Sequence, residues 1–388
     1  MATTSRGILL ISDITGYTEF LGSSELEHAQ DSLRSLLKLL IDHTNPPLTI
    51  SRLEGDSVIS YSLEGSFRQG QTIVEMIERT YVDFRHALET MVLNTTCTCN
   101  ACRNIPNLDL KFFVHYGSFV LEPLHSYTEL IGTDVNLVHR LTKNSVAEKT
   151  DTKAYVLYTQ VAVDKLGIHE IAQSMTKHVE TVESIGDVHV YVQDMHPVWE
   201  EERSRSTMSV QPGDAVVTIE KDFPVSPLIM WDFVTGPEYK AIIAGSKTAR
   251  VDYKGNGRIG EGAIYYCAHN ASTARHMIAD WRPPDEYSYT TDPFLGINSL
   301  TTIRLSPTAE GTRVSILVGE PTGGLWIVRM TLRLVLRPVL LRGLAKNLQN
   351  LHQRIEVELE EGGVVQPFAA SVPAEEVGKA IRESLNIQ

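Results

Sequence analysis

The sequence has little cysteine and too few positive charges to balance its negative ones. Four of its 388 residues are cysteines, and 35 Lys and Arg against 48 Asp and Glu give a net charge of −13. A chain with this charge lacks the basic excess that neutralises nucleic-acid phosphates. Three of the four cysteines lie within residues 97–102, which is no framework for paired disulfides. We therefore expect neither a nucleic-acid-binding protein nor a disulfide-stabilised secreted domain.

Long hydrophobic runs are also missing. The first apolar run, residues 8–11, is too short for the core of a signal peptide. The longest apolar-rich stretch, residues 325–344, contains four arginines, which a membrane-spanning helix rarely tolerates. The sequence therefore predicts no transmembrane segment and a cytoplasmic location.

What remains is the composition of a globular protein, with 42% hydrophobic and 21% charged residues. The length is sufficient for two domains. Residues 196–213 contain Pro197, a run of Glu, Arg and Ser, and Pro212 before Gly213, which is typical of a linker. We predict domains over residues 1–195 and 214–361, and a C-terminal tail over 362–388.

The first predicted domain alternates strands and helices. A buried strand covers residues 8–13, and a helix ends before Pro46 and Pro47. A hairpin over 48–61 and a helix over 71–93 follow. A strand over 110–115 is expected to end at Gly117 and return over 119–122, after which come a helix over 134–142 and strands near 156–158 and 188–192. The order β-α-β-β-α-β predicts a ferredoxin-like fold.

The second predicted domain begins with a strand over residues 215–223 and a helix opened by Ser226 and Pro227. Six further strand-like segments and a long helix over 325–359 complete an α+β domain, so that the whole chain belongs to the α+β class. Such a sheet is expected to curl around the long helix and leave a cavity. Six aromatic residues either line that cavity or fill a closed core: Trp231, Phe233, Trp281, Tyr287, Tyr289 and Trp326.

Four polar residues in the first domain have the types that phosphoryl chemistry requires. Asp13 and Asp56 could hold divalent cations on a triphosphate, and an amide and a guanidinium at Asn136 and Arg140 could stabilise developing charge. Asn136 and Arg140 are four residues apart and share one helix face. The turn after Asp13 offers backbone N–H groups to a phosphate at Gly16, Tyr17 and Thr18. Alternatively, both aspartates only stabilise turns.

In this order, and with Val114-His115-Tyr116-Gly117 and residues 132–140, these motifs resemble the catalytic domain of class III nucleotidyl cyclases over about residues 6–195. The resemblance implies that Asp13, Asp56 and the main-chain carbonyl of Ile14 bind two Mg²⁺ or Mn²⁺ ions. It further implies that Asn136 and Arg140 contact the ribose and phosphate region, and that two chains form a head-to-tail homodimer with sites at the interface.

Two positions bear on the nucleotide. Arg52 replaces a Lys and Glu129 replaces an Asp at the family's base-reading positions. A cationic donor and an acidic acceptor suit adenine, so ATP is favoured over GTP. The family's triphosphate-contacting Lys near the last strand has no counterpart in residues 183–186. Two hypotheses follow: a cyclase that converts ATP to 3′,5′-cyclic AMP and pyrophosphate, or a catalytically inactive module that binds the nucleotide.

The second domain resembles the START-like, helix-grip superfamily that includes polyketide-cyclase-like proteins. This resemblance is mainly architectural and includes a terminal helix broken at Pro338. It implies that an apolar small molecule binds in the domain's cavity and regulates the cyclase.

The cysteine cluster has the spacing Cys97-x-Cys99-x-x-Cys102, which is compact enough for Zn²⁺. It lacks an adjacent fourth ligand, which His86, His115, His125 or a second protomer could supply. The alternative is a set of free thiols in an irregular surface insertion.

Overall fold

The computed structural model describes residues 4–22, 26–94, 99–124, 127–150, 152–205, 207–252, 257–269, 272–291, 297–323 and 326–360. These residues form two compact units. The first contains the described residues up to Ser66 and those from Ile73 to Arg205, and the second contains Phe67–Thr72 and those from 207 onwards. Within these ranges, none of the helices combines the length and apolarity needed to cross a membrane.

In the sequence up to Arg205, the strands are β1 (Thr4–Thr15), β2 (Thr49–Glu54), β3 (Ser57–Leu63), β4 (Asp109–Leu124), β5 (Tyr127–Ile131), β6 (Tyr155–Thr159), β7 (Thr176–Val182) and β8 (Gly186–Asp194). The helices are α1 (Tyr17–Gly22), α2 (Leu26–Thr44), α3 (Gly70–Asn94), α4 (Asn100–Asn104), α5 (Thr133–Leu141), α6 (Val146–Thr150), α7 (Gln160–Leu166), α8 (His169–Ala172) and α9 (His196–Ser204), with a 3-10 turn at Ile105–Asn107.

The sheet of the first unit has the order β2-β3-β1-β4-β6-β8-β7, in which β1 lies between β3 and β4, and β5 pairs with β4. The predicted order β-α-β-β-α-β is found over β1 to β4. Leu9 and Ile11 of β1 are buried with Val135 and Val138 of α5 in one apolar cluster. Successive side chains of a strand point to opposite faces of the sheet. Leu9 and Ile11 therefore place one face of β1 against α5, the helix that carries Asn136 and Arg140.

The prediction that a strand ends at Gly117 was wrong, because β4 runs unbroken through this glycine and β5 is the returning strand. Gly117 serves a different purpose, since a Cβ atom there would lie only 2.3 Å from the Cβ of Asp134 in the first turn of α5. The Asp134 carboxylate accepts a hydrogen bond from the backbone N–H of Ser118 at 2.6 Å. The glycine thus lets α5 dock closely on β4.

Replacing Gly117 by alanine is therefore expected to destabilise the first unit by about 2 to 3 kcal/mol, the cost of overpacking where backbone and side chain must shift. Chemical denaturation followed by circular dichroism measures the effect. Gly22 is the matched control, because a Cβ atom there meets nothing within 4 Å. Equal stability of the two alanine variants would contradict the close approach of α5.

Some elements of the first unit had no prediction, and two of them matter for its sheet and its boundary. One is β7, and the other is α9, which occupies the first half of the predicted linker over 196–213. Trp199 of α9 is 5% exposed, and its ring lies 4.5 Å from the ring of His86. Burial of this large apolar side chain, together with the hydrogen bond between His196 and Asp109 at 3.0 Å, holds a polar helix on the first unit. The boundary between the units accordingly falls at Arg205.

From residue 207 onwards, the strands are β9 (Ala215–Phe223), β10 (Thr248–Asp252), β11 (Ile264–Ala268), β12 (Thr273–Arg282), β13 (Glu286–Thr291), β14 (Ile297–Asn298), β15 (Leu300–Thr308), β16 (Gly311–Gly319) and β17 (Thr322–Gly323). The helices are α10 (Pro227–Thr235), α11 (Pro237–Ala244) and α12 (Trp326–Glu360), with a 3-10 turn at Pro212–Asp214.

The second unit is built on an antiparallel sheet in the order β10-β11-β12-β13-β15-β16-β9. Leu348, Leu351 and Ile355 of α12 are buried in the core of this unit at helical spacing. The expected break of the terminal helix at Pro338 is not found, because α12 continues through this residue.

The aromatic residues of the second unit fill its core. Trp231, Phe233, Trp281, Tyr287 and Tyr289 are at most 7% exposed. The ring centroid of Trp231 lies 4.8 Å from that of Trp281 and 5.8 Å from that of Tyr287, with edge-to-face geometry. The sequence left open whether these rings line a cavity or fill a closed core. Because they are buried and pack against one another, they fit the closed core. The side chain of Trp326 lies outside the described residues.

The second unit also includes Phe67–Thr72, which the sequence analysis assigned to the first domain. The buried carboxylate of Asp232 accepts hydrogen bonds from the backbone N–H of Arg68 at 2.6 Å and from the hydroxyl of Thr72 at 2.9 Å. Gln71 exchanges two hydrogen bonds with the backbone of Ile259, at 2.6 and 2.8 Å. Burial raises the pKa of Asp232, because it removes water from the carboxylate. The hydrogen bonds to Asp232 oppose this effect and compensate for part of the desolvation.

Candidate nucleotide site

Asp13 and Asp56 are brought together at one end of the first unit's sheet. Asp13 lies near the end of β1, and Asp56 lies in the turn between β2 and β3. The backbone N–H of Ile14 donates to the Asp56 carbonyl at 3.4 Å. The hydroxyl of Ser57, which is opposite Asp13 in the strand register, donates to the Asp13 carboxylate at 2.5 Å. Residues 43 positions apart thus form one acidic site.

The electrostatics of this pair favour a bound cation. Burial, and next the negative charge of Asp13, raise the pKa of Asp56 to about 7. Burial and then the charge of Asp56 raise the pKa of the Tyr17 hydroxyl. Two adjacent carboxylates that cannot both ionise without repulsion gain from a divalent cation between them.

The donor set fits Mg²⁺ or Mn²⁺ in a particular way. In the described part of the chain, no group of three or more His, Cys, Asp or Glu side chains is arranged to hold a metal ion. Mg²⁺, however, usually keeps several waters and takes one or two protein carboxylates together with substrate phosphates. A pair of aspartates matches this mode of binding, in which the nucleotide itself supplies ligands.

Affinity for the divalent cation is expected to depend on pH through Asp56. Because the cation competes with the proton on this carboxyl group, affinity should rise about tenfold from pH 6 to pH 8 and then level off. Isothermal titration with Mn²⁺ across this range measures it. Asp56→Asn should bind more weakly and without this pH dependence; a flat profile in the unchanged protein would contradict the assignment of Asp56.

A cation that the sequence analysis missed lies next to the pair. Lys111 of β4 is directly opposite Asp13 in the register of β1 and β4, and its Nζ is 5.2 Å from the ring centroid of Tyr155. Burial lowers the pKa of Lys111, and the charge of Asp13 opposes this effect. Only the pairing register reveals that Lys111 and Asp13 face each other, and no local pattern specifies it.

The turn after β1 has the backbone geometry that the sequence suggested. Gly16 has φ +87°, which favours glycine, and α1 begins at the next residue. The Gly16 carbonyl accepts a hydrogen bond from the N–H of Phe20 at 2.9 Å. Gly16 and Thr18 are exposed and Tyr17 is half-buried.

The two base-reading candidates contact each other. Arg52 of β2 forms an ion pair with Glu129 of β5, and its other guanidinium nitrogen is 3.2 Å from the Glu54 carboxylate. A bulge between Ile50 and Arg52 interrupts the β2–β3 register at this point. The imidazole of His139 lies 3.8 Å from the Glu54 carboxylate, and burial lowers its pKa. His139, which the sequence analysis did not select, thus joins α5 to this group.

Asn136 and Arg140 are exposed on α5, on the same face as His139. The Arg140 guanidinium donates to the Glu183 carbonyl at 2.7 Å, in the turn between β7 and β8. Within the described residues, neither Asn136 nor Arg140 forms a hydrogen bond or ion pair with Asp13 or Asp56. No direct polar interaction therefore joins these two parts of the candidate site within one chain.

The cysteine segment contains a helix where an irregular insertion was predicted. Cys99 precedes α4, and its Sγ accepts a hydrogen bond from the N–H of Cys102 at 3.4 Å. Neither Cys99 nor Cys102 is in a disulfide bond. Cys97 and His125 lie outside the described residues, so Zn²⁺ binding stays a prediction. Among the other suggested ligands, His115 is 3% exposed and its Nδ1 lies 2.9 Å from the Thr159 hydroxyl.

Comparison with known proteins gives a family match over part of the chain. Residues 33–150 match a family model described as a protein of unknown function, DUF2652. An uncharacterized protein of Mycobacterium tuberculosis is 26% identical over 152 residues, which cover 39% of this chain and 68% of that protein.

Solved structures similar to this chain include the guanylyl cyclase Cya2, at a TM-score of 0.37 and 15% identity over 49% of this chain and 92% of that one. The adenylyl cyclase CyaB from P. aeruginosa matches at a TM-score of 0.35 and 16% identity, over 50% of this chain and 96% of that one. About half of the chain thus matches adenylyl and guanylyl cyclases. Similarity at this level carries no argument about activity, which has to be argued from the site.

Proposed function

We propose that the first unit is a nucleotidyl cyclase domain that converts ATP to 3′,5′-cyclic AMP and pyrophosphate. The observation that carries this proposal is the pair of adjacent carboxylates at Asp13 and Asp56, with the pKa of Asp56 at about 7. Asp13, Asp56 and the carbonyl of Ile14 would hold two Mg²⁺ or Mn²⁺ ions, which supply charge stabilisation for the phosphoryl transfer.

The residues around the pair suit a triphosphate. Lys111 adds a positive charge on the same face as Asp13, and the exposed turn at Gly16 and Thr18 offers backbone donors. Half-burial of Lys111 strengthens its attraction to phosphate oxygens relative to a fully solvated lysine. These residues would orient the leaving pyrophosphate.

Completion of the site requires a second chain in this proposal. Asn136 and Arg140 are exposed, and among the described residues they form no hydrogen bond or ion pair with Asp13 or Asp56 of their own chain. In a head-to-tail homodimer, they would instead approach the aspartates of the partner. Asn136 would orient the ribose while its 3′-hydroxyl attacks the α-phosphorus in line, and Arg140 would stabilise the charge that develops there.

The choice of base rests on Arg52 and Glu129. A guanidinium that donates and a carboxylate that accepts are complementary to N1 and N6 of adenine. Their mutual ion pair places both groups at one location, as recognition of a single base edge needs. We therefore favour ATP over GTP as the substrate.

A second candidate function is nucleotide binding without turnover. Two observations favour it: the turn over residues 183–186 has no lysine, and Arg140 is hydrogen-bonded to the Glu183 carbonyl in this turn. A guanidinium held there cannot reach a phosphate until this bond breaks. In either case, binding of an apolar small molecule to the second unit is proposed as the regulatory input.

A product assay distinguishes the candidates. Purified protein is incubated with ATP or GTP and Mn²⁺, and cyclic nucleotide is measured by mass spectrometry. Product from ATP that is lost in Asp56→Asn and in Arg140→Ala supports the cyclase and its preferred base. Absence of product from both nucleotides, with binding detected by calorimetry, supports the second candidate.

A further inference from the structure

The long helix α12 differs from the rest of the chain in its charge. Residues 326–355 of this helix contain five Arg and one Lys and neither Asp nor Glu, in a protein whose net charge is −13. The acidic residues of α12 are Glu356, Glu358 and Glu360, at its C-terminal end. Positive charge is therefore concentrated in the part of the helix that precedes them.

The stability of the helix does not explain this distribution of charge. The macrodipole of a helix favours acidic residues in the first turn and basic residues in the last turn. α12 has no acidic residue in its first turn and no basic residue in its last turn. Among the described residues, Arg337, Arg342 and Lys346 form no ion pair. These three cations therefore need another explanation.

Residues 337–346 of α12 lie at the surface of the second unit. Further along the helix, Leu348 and Leu351 are at most 1% exposed and belong to the core of this unit. By contrast, none of the residues 337–346 is buried. Val339 is 61% exposed and Leu340 is 38% exposed. This segment thus presents large apolar side chains to solvent in addition to its cations.

Apolar and basic residues share the same sides of this segment. Arg342 and Lys346 follow Val339 by three and seven residues, a spacing that places all three on one face of an α-helix. Leu340 follows Arg337 by three residues and is its neighbour in the same way. A helix that exposes both Lys or Arg and apolar residues suits the boundary between lipid headgroups and acyl chains.

We propose that residues 337–346 of α12 bind the surface of a membrane that contains anionic lipids. Arg337, Arg342 and Lys346 attract the phosphate groups of the lipids, and Val339 and Leu340 enter the apolar layer below the headgroups. The long stems of the basic side chains allow their charged ends to stay at the headgroups while the helix lies in the plane of the surface.

The negative charge of the whole protein does not prevent this binding. At physiological ionic strength, interactions between exposed charges are largely screened beyond about 8 Å. At about 1.5 Å per residue along the helix axis, Glu356 is about 15 Å from Lys346 and about 21 Å from Arg342. The acidic end of α12 is therefore too distant to cancel the attraction between these cations and a lipid surface.

Two other partners fit this segment less well. A symmetric contact between two copies would bring like charges such as Arg337 and Arg342 close together, and residues 337–346 contain no acidic residue that could pair with them. A nucleic acid would neutralise the cations but leave Val339 and Leu340 without an apolar partner. The proposal is separate from the cyclase chemistry, because every residue it uses belongs to the second unit.

Vesicle flotation of the full chain tests the proposal. Protein is mixed with phosphatidylcholine vesicles that either contain or lack phosphatidylglycerol, and the bound fraction is measured at several lipid concentrations. Binding to the anionic vesicles is expected to be at least about tenfold tighter than to the neutral ones, because several cations each contribute at the surface. It should weaken as salt is added. Absence of binding, or equal binding to both kinds of vesicle, would overturn the proposal.

A variant with fewer charges tests the role of the cations. Arg337→Gln combined with Arg342→Gln should weaken binding to anionic vesicles by about thirtyfold, since two charges leave the surface. The matched control is Arg34→Gln combined with Lys38→Gln, because these α2 side chains are 45% and 53% exposed and the same amount of charge is lost. This control should bind normally; an equal loss in both variants would contradict the proposal.

A second pair of variants tests the apolar contact. Val339→Ser should weaken binding to anionic vesicles by about tenfold, because an apolar side chain no longer leaves water. Val357→Ser is the matched control, since Val357 is 43% exposed on the same helix but lies between Glu356 and Glu358. It should bind normally. Equal binding by the two variants would overturn the proposal, as would a dimer that depends on Val339 in a protein that does not bind vesicles.

Discussion

Asp56→Asn is expected to reduce Mn²⁺-dependent formation of cyclic nucleotide by on the order of 10²–10³-fold, without loss of folded protein. The substitution keeps the shape of the side chain and removes the charge that a divalent cation needs. A matched control is Asp31→Asn, because the Asp31 side chain on α2 is 80% exposed. This control should leave product formation unchanged. Activity that survives in Asp56→Asn would exclude a catalytic role for the carboxylate pair.

The stability of the same variant separates loss of function from loss of fold. The pKa of Asp56 is raised to about 7 in the folded protein, above that of an unfolded aspartate. A carboxyl group whose pKa is raised by folding stabilises the folded protein while it is protonated. This contribution is fully present below about pH 4, and it is lost as pH rises through 7. Without metal, Asp56→Asn should therefore be more stable than the unchanged protein at pH 8, by about 1 to 2 kcal/mol after allowance for solvent screening. The difference should vanish towards pH 4 in urea denaturation.

Mixing two inactive variants is expected to restore activity. Arg140→Ala should lower product formation by on the order of 10²-fold, because the group that stabilises developing charge is lost. In a homodimer with composite sites, a mixture with Asp56→Asn contains mixed dimers in which one of two sites is intact. After subunit exchange at equal concentrations, about a quarter of the original activity should return.

This mixing experiment also identifies the chain that supplies Arg140. Activity that stays absent in the mixture, while each variant still forms dimers by analytical ultracentrifugation, would mean that one chain supplies all site residues. Asp56→Asn mixed with Asp13→Ala is the matched control. Both of these changes affect the same half of the site, so this mixture should stay inactive.

Much of the first unit could be predicted because its signals are local. The apolar run that became β1, the helical spacing in α2 and the hairpin around Gly55 are patterns of a few consecutive residues. The continuous β4 could not be predicted, because the role of Gly117 depends on Asp134 of a helix that follows later in the chain. A glycine within an apolar run predicts the end of a strand, whereas here the close packing of α5 on β4 requires the glycine.

The sequence by itself determined the α+β class and the residue types of the candidate site, since hydrophobic periodicity and motif order require no knowledge of distant contacts. Only the tertiary structure decided that Asp13 meets Asp56, that Lys111 faces Asp13, and that residues 67–72 belong to the second unit. It also decided that the aromatic residues of the second unit fill a closed core. These outcomes depend on strand register and on burial, which arise when segments far apart in sequence pack together.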